Sequence, residues 1–178
     1  IATLSAIVAA RDVHKINSQN ITKSVIYLTG QAHHCMHKAI RIAGLGEVIM
    51  RYVPTDEGFR MDATALDDLI KKDIEKGLNP FLIIATIGTT DTGVVDPIDA
   101  IADLAEAHHV WLHVDAAYGG FFILVEELKP LFKGVERSDS FVVDPHKGLF
   151  LPFGSGILVV RDYQTLYKSH QYLPGEAN

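Results

Sequence analysis

Val110-Trp111-Leu112-His113-Val114-Asp115-Ala116-Ala117-Tyr118-Gly119-Gly120 and, further on, Asp139-Ser140-Phe141-Val142-Val143-Asp144-Pro145-His146-Lys147 are the stretches that decide the fold. Each is a short apolar run that stops on an acidic residue. Continuous apolar runs of this length, bounded by turn residues, suit strands buried on both faces of a parallel sheet. Ligands of open α/β sheets bind at the carboxyl ends of such strands. Asp115 and Lys147 are therefore expected at one ligand-binding edge.

Working outward, strand and helix patterns alternate. Residues 1–11 are rich in Ala, Ile, Leu and Val and read as a buried helix, and 25–28 as a strand. Thr29-Gly30 turns into a predicted helix from Gln31 to Ala43, with Ala32, Cys35, Met36, Ala39, Ile40 and Ala43 at helical spacing. A strand over 47–53 precedes Pro54. Asp62 is placed to cap a helix that ends at Gly77. After the strand 81–86 comes the loop Gly88-Thr89-Thr90-Asp91-Thr92-Gly93. Asp96-Pro97 reads as N-cap and first helical residue of a helix reaching His108. A helix near 126–132, strands over 141–143 and 156–160 and a helix over 162–168 complete the pattern. Such alternation predicts an α/β fold: a mostly parallel sheet with helices on both faces. With no repeat or linker, residues 1–178 read as a single domain.

Of the 178 residues 48% are hydrophobic, enough for a real core, and the net charge of -6 offers no basic surface for nucleic acid. No apolar run approaches the ~18 residues of a membrane span. The single cysteine, Cys35, excludes an internal disulfide framework and suits a reducing compartment, so a cytoplasmic location is expected. The chain opens on Ile1 in what reads as the middle of a helix, and so is expected to be a piece of a longer protein.

An amine and a carboxylate at one sheet edge are what pyridoxal phosphate uses: the lysine bonds its aldehyde and the acid pairs with its pyridine nitrogen. Small residues after Asp115, Ala116 and Ala117, let a flat ring approach the backbone. Taken singly, Asp115 could as well be a helix cap and Lys147 a solvated surface residue; the pair is the stronger signal. His146 is a candidate contact for a phosphate or carboxylate, or else a satisfied turn residue. Thr89 and Thr90 lie on the same edge, where ordinary turn chemistry is the alternative. His33 is expected in the first turn of the 31–43 helix, where its imidazole could stack on an aromatic ring. With His37 it also has the i, i+4 spacing of a metal pair, but no third ligand accompanies them. His108 and His109 suit a helix C-terminus.

Gln31-Ala32-His33, Ala85-Thr86-Ile87-Gly88-Thr89-Thr90, His113-Val114-Asp115-Ala116-Ala117-Tyr118-Gly119-Gly120 and Asp144-Pro145-His146-Lys147 together resemble the pyridoxal-phosphate-dependent group II amino-acid decarboxylases. That family includes the aromatic-L-amino-acid, glutamate and histidine decarboxylases. Residues 1–11 resemble the helix after its phosphate-binding turn, so the likeness covers nearly the whole chain in order. It implies the large domain of the aspartate-aminotransferase type (fold type I) and a homodimer with the active site at the interface. Its substrate would be an L-amino acid, a small molecule, with a lean to an aromatic one. Lys147 would be the Schiff-base lysine and Asp115 the partner of the pyridinium nitrogen. His33 would stack on the ring and take part in catalysis, Ala117 would pack on the other face, and His146 and Thr90 would be further cofactor contacts.

Three features depart from the family pattern. The phosphate-binding turn would precede Ile1. Gly148 stands where Trp often follows the lysine. The catalytic-tyrosine loop would begin near Asn178, and Tyr172 does not match it. Two other readings stay open: a different fold-type-I enzyme, such as an aminotransferase or lyase, and a non-catalytic domain of that fold.

Overall fold

The computed structural model of the chain describes residues 1–171; Tyr172 lies outside them. Six strands form one sheet in the order β2-β1-β3-β4-β5-β6. They are β1 (Ser24–Leu28), β2 (Ile49–Tyr52), β3 (Asn79–Thr86), β4 (Trp111–Asp115), β5 (Ser140–Val143) and β6 (Ile157–Val160). Strands β1 to β5 pair in parallel, and β6 alone is antiparallel, on β5.

Helices cover both faces, as the alternation predicted. On one face lie α1 (Ala2–Val13) and α2 (Cys35–Ile42), which pack Ile7, Ala10, Met36 and Ile40 against Ile26, Leu82 and Trp111. On the other, α3 (Ala63–Glu75) and α4 (Ile98–His108) pack Leu66, Ile70, Ile101 and Ala105 against Val25, Ile83, Leu112 and Val114. Two-sided burial explains why β1, β3 and β4 read as unbroken apolar runs. Two short helices complete the order, α5 (Pro145–Gly148) and α6 (Tyr163–His170).

Strand β1 connects outward to β2, whereas β3 connects the other way to β4. The boundary between β1 and β3 is thus a topological switch point, the usual ligand crevice of such sheets. The loops carrying His33 and Thr89 leave from its two sides.

Several expected elements are corrected. Asp62 caps α3 as predicted, accepting the Thr64 and Ala65 N–H groups at 2.9 and 3.0 Å. Asp96 does not cap α4; Pro97 holds that position. The Asp96 carboxylate is buried instead and takes the N–H of Met61 and of Thr86, both at 2.7 Å. The predicted helix near 126–132 is 3₁₀ rather than α, with Pro130 inside it unable to donate a backbone hydrogen bond. His108 does more than meet the helix dipole: its Nε2 lies 2.9 Å from Asp67 Oδ1 on α3.

Candidate active site

Three loops at the carboxyl edge assemble the site. The first follows β1. Thr29 Oγ accepts the Gln31 N–H at 3.2 Å and the Thr29 carbonyl accepts the Ala32 N–H at 3.2 Å, closing a turn that delays the helix. Helix α2 therefore starts at Cys35, not Gln31, and His33 sits in the turn before it. His33 Nδ1 accepts the Cys35 N–H at 3.3 Å, which leaves the proton of a neutral ring on Nε2. The helical His33–His37 pair does not form, and His37 Nε2 instead meets the Tyr52 hydroxyl at 2.7 Å.

The second loop follows β3 and touches the turn after β4. Gly119 N–H donates to the Ile87 carbonyl at 3.2 Å, and a Cβ at 119 would stand 2.4 Å from that oxygen. Glycine is required there because two backbones meet. Thr89 is spent on the turn: its hydroxyl accepts the Val94 N–H at 3.1 Å and pairs with Thr92 Oγ at 2.6 Å. Thr90 is exposed, and its side chain makes no hydrogen bond among the described residues.

Asp115 ends β4, with 6% of its surface exposed. Its Oδ1 accepts the Ala117 N–H at 3.1 Å, and among the described residues it has no ion-pair partner. Burial pushes its carboxyl up from the ordinary value, while the Ala117 hydrogen bond, Lys147 and His33 act against that rise. For His33, burial and then His34 lower its proton affinity, Asp115 opposes them, and Lys147 adds to them. His33, Asp115 and Lys147, far apart in sequence, therefore share one electrostatic neighbourhood.

The third loop follows β5. Pro145 opens α5, its missing N–H suiting that position. Lys147 Nζ lies 3.0 Å from Asp144 Oδ2. His146 Nδ1 donates to the Ser155 carbonyl at 2.7 Å, so in the neutral ring Nε2 is an acceptor and an anion would need the charged ring. A Cβ on Gly148 would stand 2.9 Å from Phe121 Cβ, so Phe121 fills the space a larger residue there would need. Near these loops a cavity of about 460 Å³ opens beside the start of α1, lined by Thr3, Cys35, Ala117, Asp144 and His146 among others. Burial and then Asp115 push the Cys35 thiol up, which keeps it from acting as a thiolate.

These residues fit pyridoxal phosphate. A buried carboxylate without a cationic partner is costly. A protonated ring nitrogen would supply that partner and reverse the upward pull on Asp115. Lys147 offers the primary amine, and Ala117 lines the neighbouring cavity together with Asp144 and His146. Sequence reading missed Asp144 as the lysine's partner, although the i, i+3 spacing within Asp144-Pro145-His146-Lys147 signals it. It also missed the brace from Asp96, whose partners lie too far along the chain to show in a local pattern.

Comparison with known proteins agrees. Residues 1–175 match the family described as the pyridoxal-dependent decarboxylase conserved domain. The chain is 38% identical over 173 residues to an aromatic-L-amino-acid decarboxylase of Bacillus atrophaeus, covering 97% of this chain and 36% of that protein. With a tyrosine decarboxylase of Papaver somniferum it shares 36% identity over 184 residues, 99% of this chain and 36% of the other. The crystal structure of Oryza sativa TDC with PLP and tryptamine superposes with a TM-score of 0.90 at 34% identity, over 99% of this chain and 38% of that one. The chain thus spans little more than a third of these relatives' length. No helix among the described residues is long and apolar enough to cross a membrane. On the strength of its sheet, its site and these matches, the chain belongs to the pyridoxal-dependent decarboxylase family.

Proposed function

We propose that the protein to which this chain belongs decarboxylates an L-amino acid, with a lean to an aromatic one, to the amine and CO2, using pyridoxal phosphate. The observation that carries this reading is Asp115: a buried carboxylate, without an ion-pair partner among the described residues, in electrostatic reach of both Lys147 and His33. Two relatives are named for aromatic substrates, an aromatic-L-amino-acid and a tyrosine decarboxylase.

Bound pyridoxal phosphate supplies an aldehyde that condenses with amines and a ring that accepts the electron pair of a breaking bond at Cα. Lys147 would hold the cofactor through its amine and yield it to the substrate amine. Asp115 would keep a proton on the ring nitrogen through a charge-assisted hydrogen bond. His33, with its Nε2–H, would stack over the ring and donate or steer a proton. Ala117 would bound the other face, and His146 and Thr90 would contact the cofactor.

We further propose that residues 1–178 are one cofactor-binding large domain of a longer chain, that the protein is a cytoplasmic homodimer, and that the active site lies at its interface. Phe150 and Phe153, 94% and 93% exposed beside the lysine helix, support a covered surface there. The lone free thiol of Cys35 supports a reducing compartment.

Product analysis tests the reaction. Full-length protein is incubated with an aromatic L-amino acid and no keto acid. Equal amounts of amine and CO2 are expected; stoichiometric keto acid without CO2 would favour an aminotransferase.

A further inference from the structure

Asp115 and Lys147 issue from neighbouring strands, so their relative placement depends on how β4 and β5 are registered. That ladder is short: His113 pairs with Ser140, Val114 with Phe141 and Asp115 with Val142. In a parallel ladder a slip of one residue turns every side chain of the moving strand to the other face. Apolar side chains guard weakly against it here, because both faces of the sheet accept Val and Phe.

One polar group is different. Ser140 Oγ accepts the Trp111 Nε1–H at 2.8 Å and meets His113 Nδ1, also at 2.8 Å. All three residues are buried, at 5% exposure for Trp111, 0% for His113 and 1% for Ser140. Trp111, His113 and Asp115 alternate along β4 and so share a face.

The protons can be counted. Ser140 has one, and no other acceptor for it is found among the described residues. If it goes to His113 Nδ1, the only unpartnered group is the buried Nε2–H; if Nδ1 carries the proton instead, both the serine proton and Nε2 are left without partners. The first arrangement wins, and it needs Ser140 in register with His113. A slip would strand the indole N–H and the imidazole together in the core.

We propose that Trp111, Ser140 and His113 form a clasp that sets the register of β4 on β5 and thereby positions Asp115 relative to Lys147. Ser140 and His113 are then positioning residues; the inference rests on the functional reading above. Past the clasp the register runs straight to the site. Ala116 N–H donates to the Val142 carbonyl at 2.9 Å, and Asp144 N–H to the Ala117 carbonyl at 3.2 Å. Below it, Asp139 Oδ2 accepts the Leu112 N–H at 2.8 Å, an anchor that Ser140→Ala leaves intact.

The test uses the full-length protein with Ser140→Ala, Trp111→Phe and Ser140→Thr. Three quantities are read: the Kd for pyridoxal phosphate by absorbance titration, the pH at which the bound cofactor's absorbance changes, and hydrogen exchange of the β5 amides in the apoprotein. Ser140→Ala should weaken cofactor binding about tenfold or more, as expected for stranding buried donors, shift the absorbance transition and speed β5 exchange. Trp111→Phe should move all three in the same direction, and Ser140→Thr, which keeps the hydroxyl, should restore them. Should Ser140→Ala fail to fold, Trp111→Phe decides. Variants that melt earlier yet keep the wild-type Kd, pH transition and β5 exchange would overturn the clasp as a positioning device. A wild-type protein that takes up no pyridoxal phosphate would overturn the functional reading, and this inference with it.

Discussion

The Lys147 ammonium lies 3.0 Å from Asp144, the residue that begins the lysine's own short helix. The ion pair is local, three residues apart, whereas Asp115 acts on Lys147 from another strand. In this arrangement one acid holds the amine in place, and a second, more deeply buried, has no ion-pair partner among the described residues.

Lys147 is the residue to which the cofactor should be bound. Borohydride reduction of the full-length protein should fix a pyridoxyl group on the peptide containing Lys147. Lys147→Arg, which keeps the charge beside Asp144, should abolish both labelling and turnover. Label recovered on another lysine would move the site.

Asp115→Asn keeps the shape of the strand end and removes its charge. Turnover should fall on the order of 10²-fold or more. The ring nitrogen should also lose its proton at lower pH in the variant, because the carboxylate that favours the charged form is gone. Wild-type turnover in Asp115→Asn would refute the role.

Asp96 braces the loop on which Thr89 and Thr90 ride. Its two carboxylate oxygens serve two buried N–H groups, and an asparagine has one oxygen for the pair. Asp96→Asn should therefore destabilise the fold by about 1–3 kcal/mol, the usual cost of one unsatisfied buried group. Urea unfolding of the full-length protein measures it; an unchanged midpoint would show that the loop is held by other contacts.

His113 should make stability depend on pH in a defined window. Burial lowers its pKa from 6.5 to about 4. Above the unfolded value neither state binds a proton, and stability is full. As pH falls through 6.5 towards 4 the unfolded chain takes up the proton first, so stability declines, by a sum on the order of 3 kcal/mol. His113→Gln should flatten this part of the curve, although it lowers stability at neutral pH by breaking the clasp. Denaturant unfolding at pH 7 and at pH 4.5 compares the two proteins; equal slopes would rule out His113 as the titrating group.

The periodicity of the chain alone determined the parallel sheet, the two helical layers and the edge on which Asp115 and Lys147 lie. Those features depend on local patterns: unbroken apolar runs for strands buried on both faces, and helical spacing between them. The same locality explains the errors. The 31–43 stretch has helical spacing throughout, yet the Thr29 turn captures the Gln31 and Ala32 amides and sets His33 outside the helix. Asp96-Pro97 looks like a cap, yet the carboxylate is drawn to donors as distant as Met61. Which partner a polar side chain takes depends on what the fold brings within hydrogen-bond reach, a few ångströms at most. Sequence could thus place Asp115 and Lys147 at one edge of the sheet, but only the packed sheet decided that Asp144 holds the lysine and that Ser140 meets His113. It alone left Asp115 buried without a cation among the described residues, because burial and pairing arise between strands and not along them.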